Sequence, residues 1–324
     1  MNAKKVIIDC DPGIDDTLAL MLALSSPELD VLGITVVSGN VPVEKGAENA
    51  LKVLDWMNRK DIPVYLGEPL PLVRNYVDAM DTHGDDGLGE SNYPTITDIR
   101  PHTDAVGFLR DTLLHTPHVS VIALGPLTNL ARLYQISPEA FAQIEEMVSM
   151  GGNYKSHGNC SPVAEYNYWC DPDAAHIVYE AFASMEGKLL HMIGLDVTRQ
   201  IVLTPNILQY MRYTNPVMGE RITNITKFYL DFHWKQEGII GCVINDPLAV
   251  AYFIDRNLCQ GFASYATVET QGISIGQTLV DTYHFWNKPD NSYILTQTDA
   301  YGFMKFFLQR VINAPESEIE RILK

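Results

Sequence analysis

The stretch "VIIDCDPGIDDTLAL", residues 6–20, decides how the rest of the chain is read. Three apolar residues run straight into Asp9, Asp11, Asp15 and Asp16, four carboxylates within eight positions. Charge at the end of a buried strand is costly unless it is compensated. Helix capping accounts for part of the cluster, because Asp15 or Asp16 can cap a helix over 15–26 and acids suit a helix N-terminus. It explains one or two acids, not four. Pro12-Gly13 forces a tight turn that folds Asp11 and Asp16 back toward each other. Two carboxylates facing one point need a shared proton or a cation, and a hard cation with oxygen ligands, Ca²⁺ or Mg²⁺, fits. The spacing is not that of an EF-hand, whose 12-residue loop ends in a bidentate Glu.

Outward from this segment the front half alternates apolar β-rich runs with helical patterns. "KVIID" (5–9), "VLGITVV" (31–37), "PVYLG" (63–67), "VSVIAL" (119–124), "MVSMGG" (147–152) and "KLLHMIGLD" (188–196) read as strands. "VEKGAENALKVLDWMNR" (43–59) carries Ala47, Ala50, Leu51 and Leu54 on one helical face. Continuous apolar strands separated by helices predict an α/β fold, a mostly parallel sheet covered on both faces. In such sheets ligands bind outside the carboxyl ends of the strands. Polar segments fall at those ends: "DCDPGIDD", "SGN" (38–40), "LGPLTN" (124–129) and "GGN" (151–153). The back half reads as more helical, with helices over 217–236, 246–254 and 299–313. Residues 68–103, rich in Gly, Asp and Pro, read as a loop bordering the site. A single domain over 1–324 is expected, its C-terminal part from about 200 closing the site.

Composition narrows the function. Hydrophobic residues at 46% and charged residues at 19% are an ordinary globular balance. The formal net charge of −17 argues against nucleic acid and anionic membranes, which need Lys and Arg to neutralise phosphates. Five cysteines, an odd number without a CxxC, fit free thiols rather than a disulfide framework or a zinc site. "MNAKK" enters a strand without an apolar h-region, and no apolar run reaches about 18 residues. A cytoplasmic protein is expected.

Further candidates stand in loops and at helix starts. Asp246 in "NDPLAV" reads, alone, as an N-cap. Glu165 and Asn167 lie in "SPVAEYNYWCDPDAA", a mix of Asn, aromatics and acids suited to sugar hydroxyls or to turn capping. His83 sits in the Gly-rich "THGDDGLG". The other histidines read as structural.

Taken together, "DCDPGIDDTLAL", "SGN", "HGDDGLG" (83–89), "ALGPLTN" (123–129), "MGGN…GN…AEYNYWCDPDAA" (150–175) and "NDPLAV" (245–250) resemble, in order, the signatures of the inosine–uridine-preferring nucleoside hydrolases. The resemblance spans nearly the whole chain. It implies a single α/β domain of Rossmann-like architecture that hydrolyses the N-glycosidic bond of ribonucleosides around one Ca²⁺. By motif, Asp11, Asp16, Asp246 and the backbone carbonyl of Leu124 would bind the metal. Asp15 and Asn167 would hold the ribose 2′- and 3′-hydroxyls, with Glu165 and Asn159 toward the 3′ and 5′ ends. Asn40 would lie beside the attacking water, Asp9 would orient the loop, and His83 would lie near the base or the 5′-hydroxyl. Asp11 would be the general base. The resemblance also implies a homodimer or homotetramer.

The pattern is broken before the last metal acid. Where relatives carry His, the proton donor to the leaving base, this chain has Asn245, which is no acid at neutral pH. His233, one turn after Tyr229 on the long helix, is the candidate replacement; otherwise it is only a residue of that helix. Two other readings compete. A Mg²⁺-dependent phosphatase of the haloacid dehalogenase type also begins strand–DxD, but the later Lys and acidic pair it needs are missing. A ribose-binding protein that kept the metal site and lost turnover is the other.

Overall fold

The computed structural model describes residues 3–323. Val6, Ile7 and Ile8 have no exposed surface; Val6 and Ile8 belong to one hydrophobic cluster and Ile7 to a second. Successive side chains of a strand point to opposite faces, so this run puts a core on each side of the sheet. The first strand, β1, is Lys4–Cys10. It is followed in the main sheet by β2 (Leu29–Val36), β3 (Val64–Leu66), β4 (Val119–Ala123), β5 (Met147–Met150), β6 (Leu190–Ile193), β7 (Cys259–Ser264) and β8 (Ser292–Thr298). The spatial order is β3-β2-β1-β4-β5-β6-β8-β7. Every pairing is parallel except β8 with β7.

The direction of winding reverses between β1 and β4. That switch point opens a crevice beyond the carboxyl ends of the two strands. Helix α1 (Ile14–Leu24) starts after only three residues of turn and is buried from Ile14 to Ala23. It packs against a second core helix near the end of the chain, Asp246–Ile254, buried from Asp246 to Phe253. Neither is an amphipathic surface helix; both sit between the sheet and outer helices. The remaining helices that build the site are α2 (Val43–Trp56), α3 (Met80–His83), α4 (Tyr166–Cys170) and α5 (Pro216–Glu237), and the Asp246–Ile254 helix is α6. Pro216 and Pro247 occupy first-turn positions, where a missing N–H leaves no bond unmade.

The back half carries more helix than the front, but it also holds strands that were not read from the sequence. Residues 259–298 contribute β7 and β8 to the sheet edge and a small hairpin, Ala266–Val268 with Thr278–Val280. "CQGFAS" shows no clean alternation because its middle positions are only partly covered, and its pairing with β8 carries an irregularity between Leu295 and Gln297. The "KLLHMIGLD" strand also stops at Ile193, and Leu195–Thr198 turns into a short helix. Among the described residues no helix is long and apolar enough to cross a membrane.

Candidate active site

The loop between β1 and α1 is held by its own acids. Asp16, in the first turn of α1, accepts the backbone N–H groups of Asp11 and Gly13, each at 3.1 Å, on its two oxygens. Asn40, from the loop after β2, donates its side-chain amide to Asp16 at 2.9 Å and its backbone N–H to Asp11 Oδ2 at 2.7 Å. The capping and metal-binding readings of this segment are therefore compatible, since one carboxylate closes the turn and still faces the crevice. A Cβ at Gly39 or Gly125 would collide with the Asp11 carboxylate, so both neighbouring loops must come close with bare backbone. Asp9 lies behind, accepting from Thr35 Oγ1 at 2.5 Å and Asn129 Nδ2 at 2.8 Å.

Asp246, at the start of α6, joins Asp15 and Asp16 in a buried group whose carboxylate oxygens lie within 4.8 Å of one another. Burial pushes Asp16 and Asp9 up to about 7, and burial with neighbouring carboxylates carries Asp11 and Asp246 well above the usual range. Asp11 Oδ1 is buried with no hydrogen-bond partner among the described residues. An orphaned carboxylate oxygen beside three converging acids is a donor set for a hard cation. The residues present fit a divalent metal.

Asp15 has a second set of contacts. Its Oδ2 accepts from Asn245 Nδ2 at 3.1 Å, the Asn245 backbone N–H at 3.3 Å and Tyr229 Oη at 3.4 Å. Asn167 Nδ2 donates to the carbonyl of Leu124 at 2.6 Å and to that of Met150 at 3.1 Å, tying α4 to the loops after β4 and β5. Glu165 caps α4, accepting backbone N–H groups from Asn167, Gly152 and Tyr168; burial pushes its carboxyl up to about 7 against those three bonds. Asn159 Oδ1 accepts from the Tyr166 backbone N–H at 2.9 Å.

The two histidines are in opposite tautomers. His83 Nδ1 accepts the N–H of Ile14 at 3.0 Å, so its proton is on Nε2. His233 Nδ1 lies 2.9 Å from the Tyr229 carbonyl, which only accepts, so its proton is on Nδ1. Burial lowers the pKa of both rings.

All these side chains meet at one cavity of about 540 Å³, within the usual range for a small-molecule site. Every residue nominated from sequence lines it except Asp9, Asp11 and Asp16, which are buried; Asp11 and Asp16 hold Asn40 at its wall. Asp15, assigned to ribose above, is also a member of the three-acid group, whereas Asp11 is not. Several lining residues were not anticipated: Asp78 and Asp81 from the 68–83 segment, His157, Arg199, Phe232 and Glu237. Arg199 donates to Ser156 Oγ and the Gly158 carbonyl, each at 3.0 Å, and lies 3.7 Å from Glu237. The one hint of it was the polar run "LDVTRQ" after β6. The 68–79 segment is strapped down by Arg74, stacked 3.8 Å over the Trp169 ring.

A metal-ready acidic group at the switch point, facing a cavity with Asn, Glu and aromatic walls, matches known proteins along nearly its entire length. The sequence model of the inosine-uridine preferring nucleoside hydrolases matches residues 6–305. The chain belongs to this family. It is a hydrolase acting on N-glycosyl compounds, a ribonucleoside hydrolase. The pyrimidine-specific ribonucleoside hydrolase RihA of Escherichia coli O81 (strain ED1a) is 34% identical over 312 residues, covering 95% of this chain and 98% of its own. RihB of Escherichia coli O157:H7, also called pyrimidine-specific, is 34% identical over 305 residues, 94% of this chain and 95% of its own. Among solved structures, a purine-preferring ribonucleoside hydrolase from Gardnerella vaginalis superposes with a TM-score of 0.88 at 31% identity, covering 96% of this chain and 98% of that one. The plant nucleoside hydrolase PpNRh1 gives 0.87 at 31% identity, covering 96% and 99%. These similar proteins differ in base preference by their own descriptions, while this hydrolase shares their sheet and helices.

Proposed function

We propose that this hydrolase cleaves the N-glycosidic bond of ribonucleosides to ribose and free base with one Ca²⁺ per chain, held by Asp11, Asp16, Asp246 and the Leu124 carbonyl. The observation that carries this reading is the buried acidic group at the switch point with Asp11 Oδ1 left unpartnered. When bound, the cation supplies a Lewis acid beside the sugar that lowers the pKa of water. Asp11 takes the proton of the attacking water as general base. Its other oxygen is pinned by the Asn40 N–H, which fixes the direction of the free lone pairs. Asp15 and Asn167 grip the ribose hydroxyls, with Glu165 and Asn159 toward the 3′ and 5′ ends. The cationic sugar that develops as the base departs, as in glycoside cleavage generally, is favoured by the surrounding carboxylates.

At the leaving-group end, His83, Tyr229 and Asn245 contact the base or the sugar edge, and His233 hands a proton to the departing base. With Nδ1–H on the Tyr229 carbonyl, His233 does so only after Nε2 has been protonated. The C-terminal part from about 200, carrying α5 and α6, closes this end of a single domain over 1–324. Solution as a homodimer or homotetramer and a role in nucleoside salvage in the cytoplasm accompany this reading. A reducing-sugar assay with inosine, uridine, cytidine and adenosine, with and without EGTA, tests it. Release of ribose that is abolished by the chelator and restored by Ca²⁺ is expected. Ribose binding without turnover would leave the metal-site binding protein in its place.

A further inference from the structure

Leaving-group chemistry sets what such a site can cleave, and here the possible proton donors are already engaged. Asn245 carries an amide, which hydrogen-bonds but does not give up a proton, and it is turned onto Asp15 Oδ2. The Tyr229 hydroxyl donates to the same oxygen at 3.4 Å. His83 offers Nε2–H of a neutral ring, because Ile14 N–H occupies Nδ1. His233 presents a bare Nε2, because its N–H faces the Tyr229 carbonyl. As folded at neutral pH, the leaving-group side has hydrogen-bond donors and acceptors, and His233 could hand over a proton only after its Nε2 has been charged, which burial disfavours.

The charge around the cavity points the same way. Asp78 and Asp81 line the cavity, and neither forms an ion pair among the described residues. The α3 helix that carries Asp81 packs on α5, which carries His233. Arg199 is the one Lys or Arg in the described lining, and its guanidinium is engaged by Ser156, Gly158 and Glu237. Tyr229 and Phe232 add aromatic walls, which attract cations through the ring face.

We infer that the preferred substrates are ribosides whose base is already a cation, such as an N7-alkylated purine or a pyridinium, held by Asp78, Asp81 and the aromatic walls and cleaved without protonation of the leaving group. This rests on the ribonucleoside-hydrolase reading above. For such a substrate the balance closes without an acid. Water oxygen bonds to C1′, and its proton goes to Asp11. The C1′–N bond breaks with its electron pair moving to the positive ring nitrogen, so the base leaves neutral. A neutral nucleoside would expel an anion or need a proton first.

The test compares 7-methylguanosine with guanosine, two substrates that differ by one methyl and one charge, using the full-length hydrolase with Ca²⁺ at neutral pH. Because a general acid contributes on the order of 10² or more, a site lacking one should favour 7-methylguanosine by about 100-fold or more in kcat/KM. A ratio near one would show that the protein supplies the proton and would overturn the inference. Asp78→Asn/Asp81→Asn should lower that ratio by about tenfold through a higher KM for the cation; an unchanged ratio removes the charge-recognition half. If neither purine riboside, nor uridine, releases reducing sugar, the hydrolase reading itself fails, which is distinct from a ratio near one.

Discussion

Asp246→Asn separates metal binding from folding. The three acids Asp15, Asp16 and Asp246 lie with oxygens inside 4.8 Å. At that separation and an effective dielectric near 20, each ionised pair repels by about 3 kcal/mol. Replacing Asp246 removes its two repulsions. It also removes an acid from the first turn of α6, where the helix end rewards negative charge by about 0.3–1 kcal/mol. Repulsion wins. Partial protonation of the crowded acids already relieves part of it, so the expected gain without metal is about 1–3 kcal/mol. With Ca²⁺ at roughly 100 times its Kd, the wild type should gain about 2.7 kcal/mol, near 5 °C in Tm for a chain of this size. The variant should lose that gain. Thermal denaturation in EGTA and in Ca²⁺ reads both quantities. A variant that melts below wild type in EGTA, yet still rises with Ca²⁺, would refute the reasoning, because Asp246 would then be a structural cap outside the metal site.

Three further outcomes are expected. Asn245→Ala leaves Asp15 Oδ2 with only the main-chain N–H at position 245 and a long Tyr229 contact, and steady-state kinetics should show KM up about tenfold from one lost charged hydrogen bond. Glu165→Gln places an amide against one of three backbone N–H groups and should cost about 1–3 kcal/mol in urea unfolding. Because the Glu165 carboxyl is raised from 4.5 to about 7, its contribution to stability is complete below its unfolded value and lost as pH rises through 7. The variant should flatten that window of a pH–stability curve. Finally, the ratio of inosine to 7-methylguanosine turnover should rise as pH falls from about 7.5 to about 6. Only inosine draws on a protonated His233, and effects on the shared carboxylates cancel. Burial lowers that pKa, Glu237, Asp15 and the Tyr229 carbonyl raise it, and Arg199 lowers it. A flat ratio would remove His233 from proton transfer.

The parallel half of the sheet was legible because β1 to β6 are covered on both faces and so read as unbroken apolar runs. The acids of the β1–α1 turn were legible because they crowd into eight residues. Other parts were not. β7 and β8 form by antiparallel pairing at an edge, where half-exposed positions blur the alternation that marks a strand. Asp246 reads locally as a cap, and only folding brings it to Asp15 and Asp16 some 230 residues earlier. Asp78 and Phe232 carry no local pattern at all; each acquires its place where separate segments happen to meet around one cavity. His83 could be nominated from its loop, but its tautomer depends on the N–H of Ile14, a contact between residues 69 apart in sequence.

The electrostatics of the switch point explain why these acids are tolerated and what they demand. Two helices, α1 and α6, begin there, with Asp15 and Asp16 in one first turn and Asp246 in the other. Each helix end presents about half a positive charge, roughly one unit together, against four carboxylates counting Asp11. Among the described residues the lining offers no free Lys or Arg, since its one arginine is held by Ser156, Gly158 and Glu237. The fold thus offsets only a minority of the charge that it buries. The remainder is a field that lowers the energy of positive charge placed in the crevice. A divalent ion satisfies part of it at rest, and a sugar turning cationic at C1′ satisfies more of it in the transition state. A site serving only to hold a metal would need no second acid pair at Asp78 and Asp81 beyond the ring. Both line the same cavity, where a departing neutral base brings no positive charge of its own, and that makes the charge of the base the property to vary.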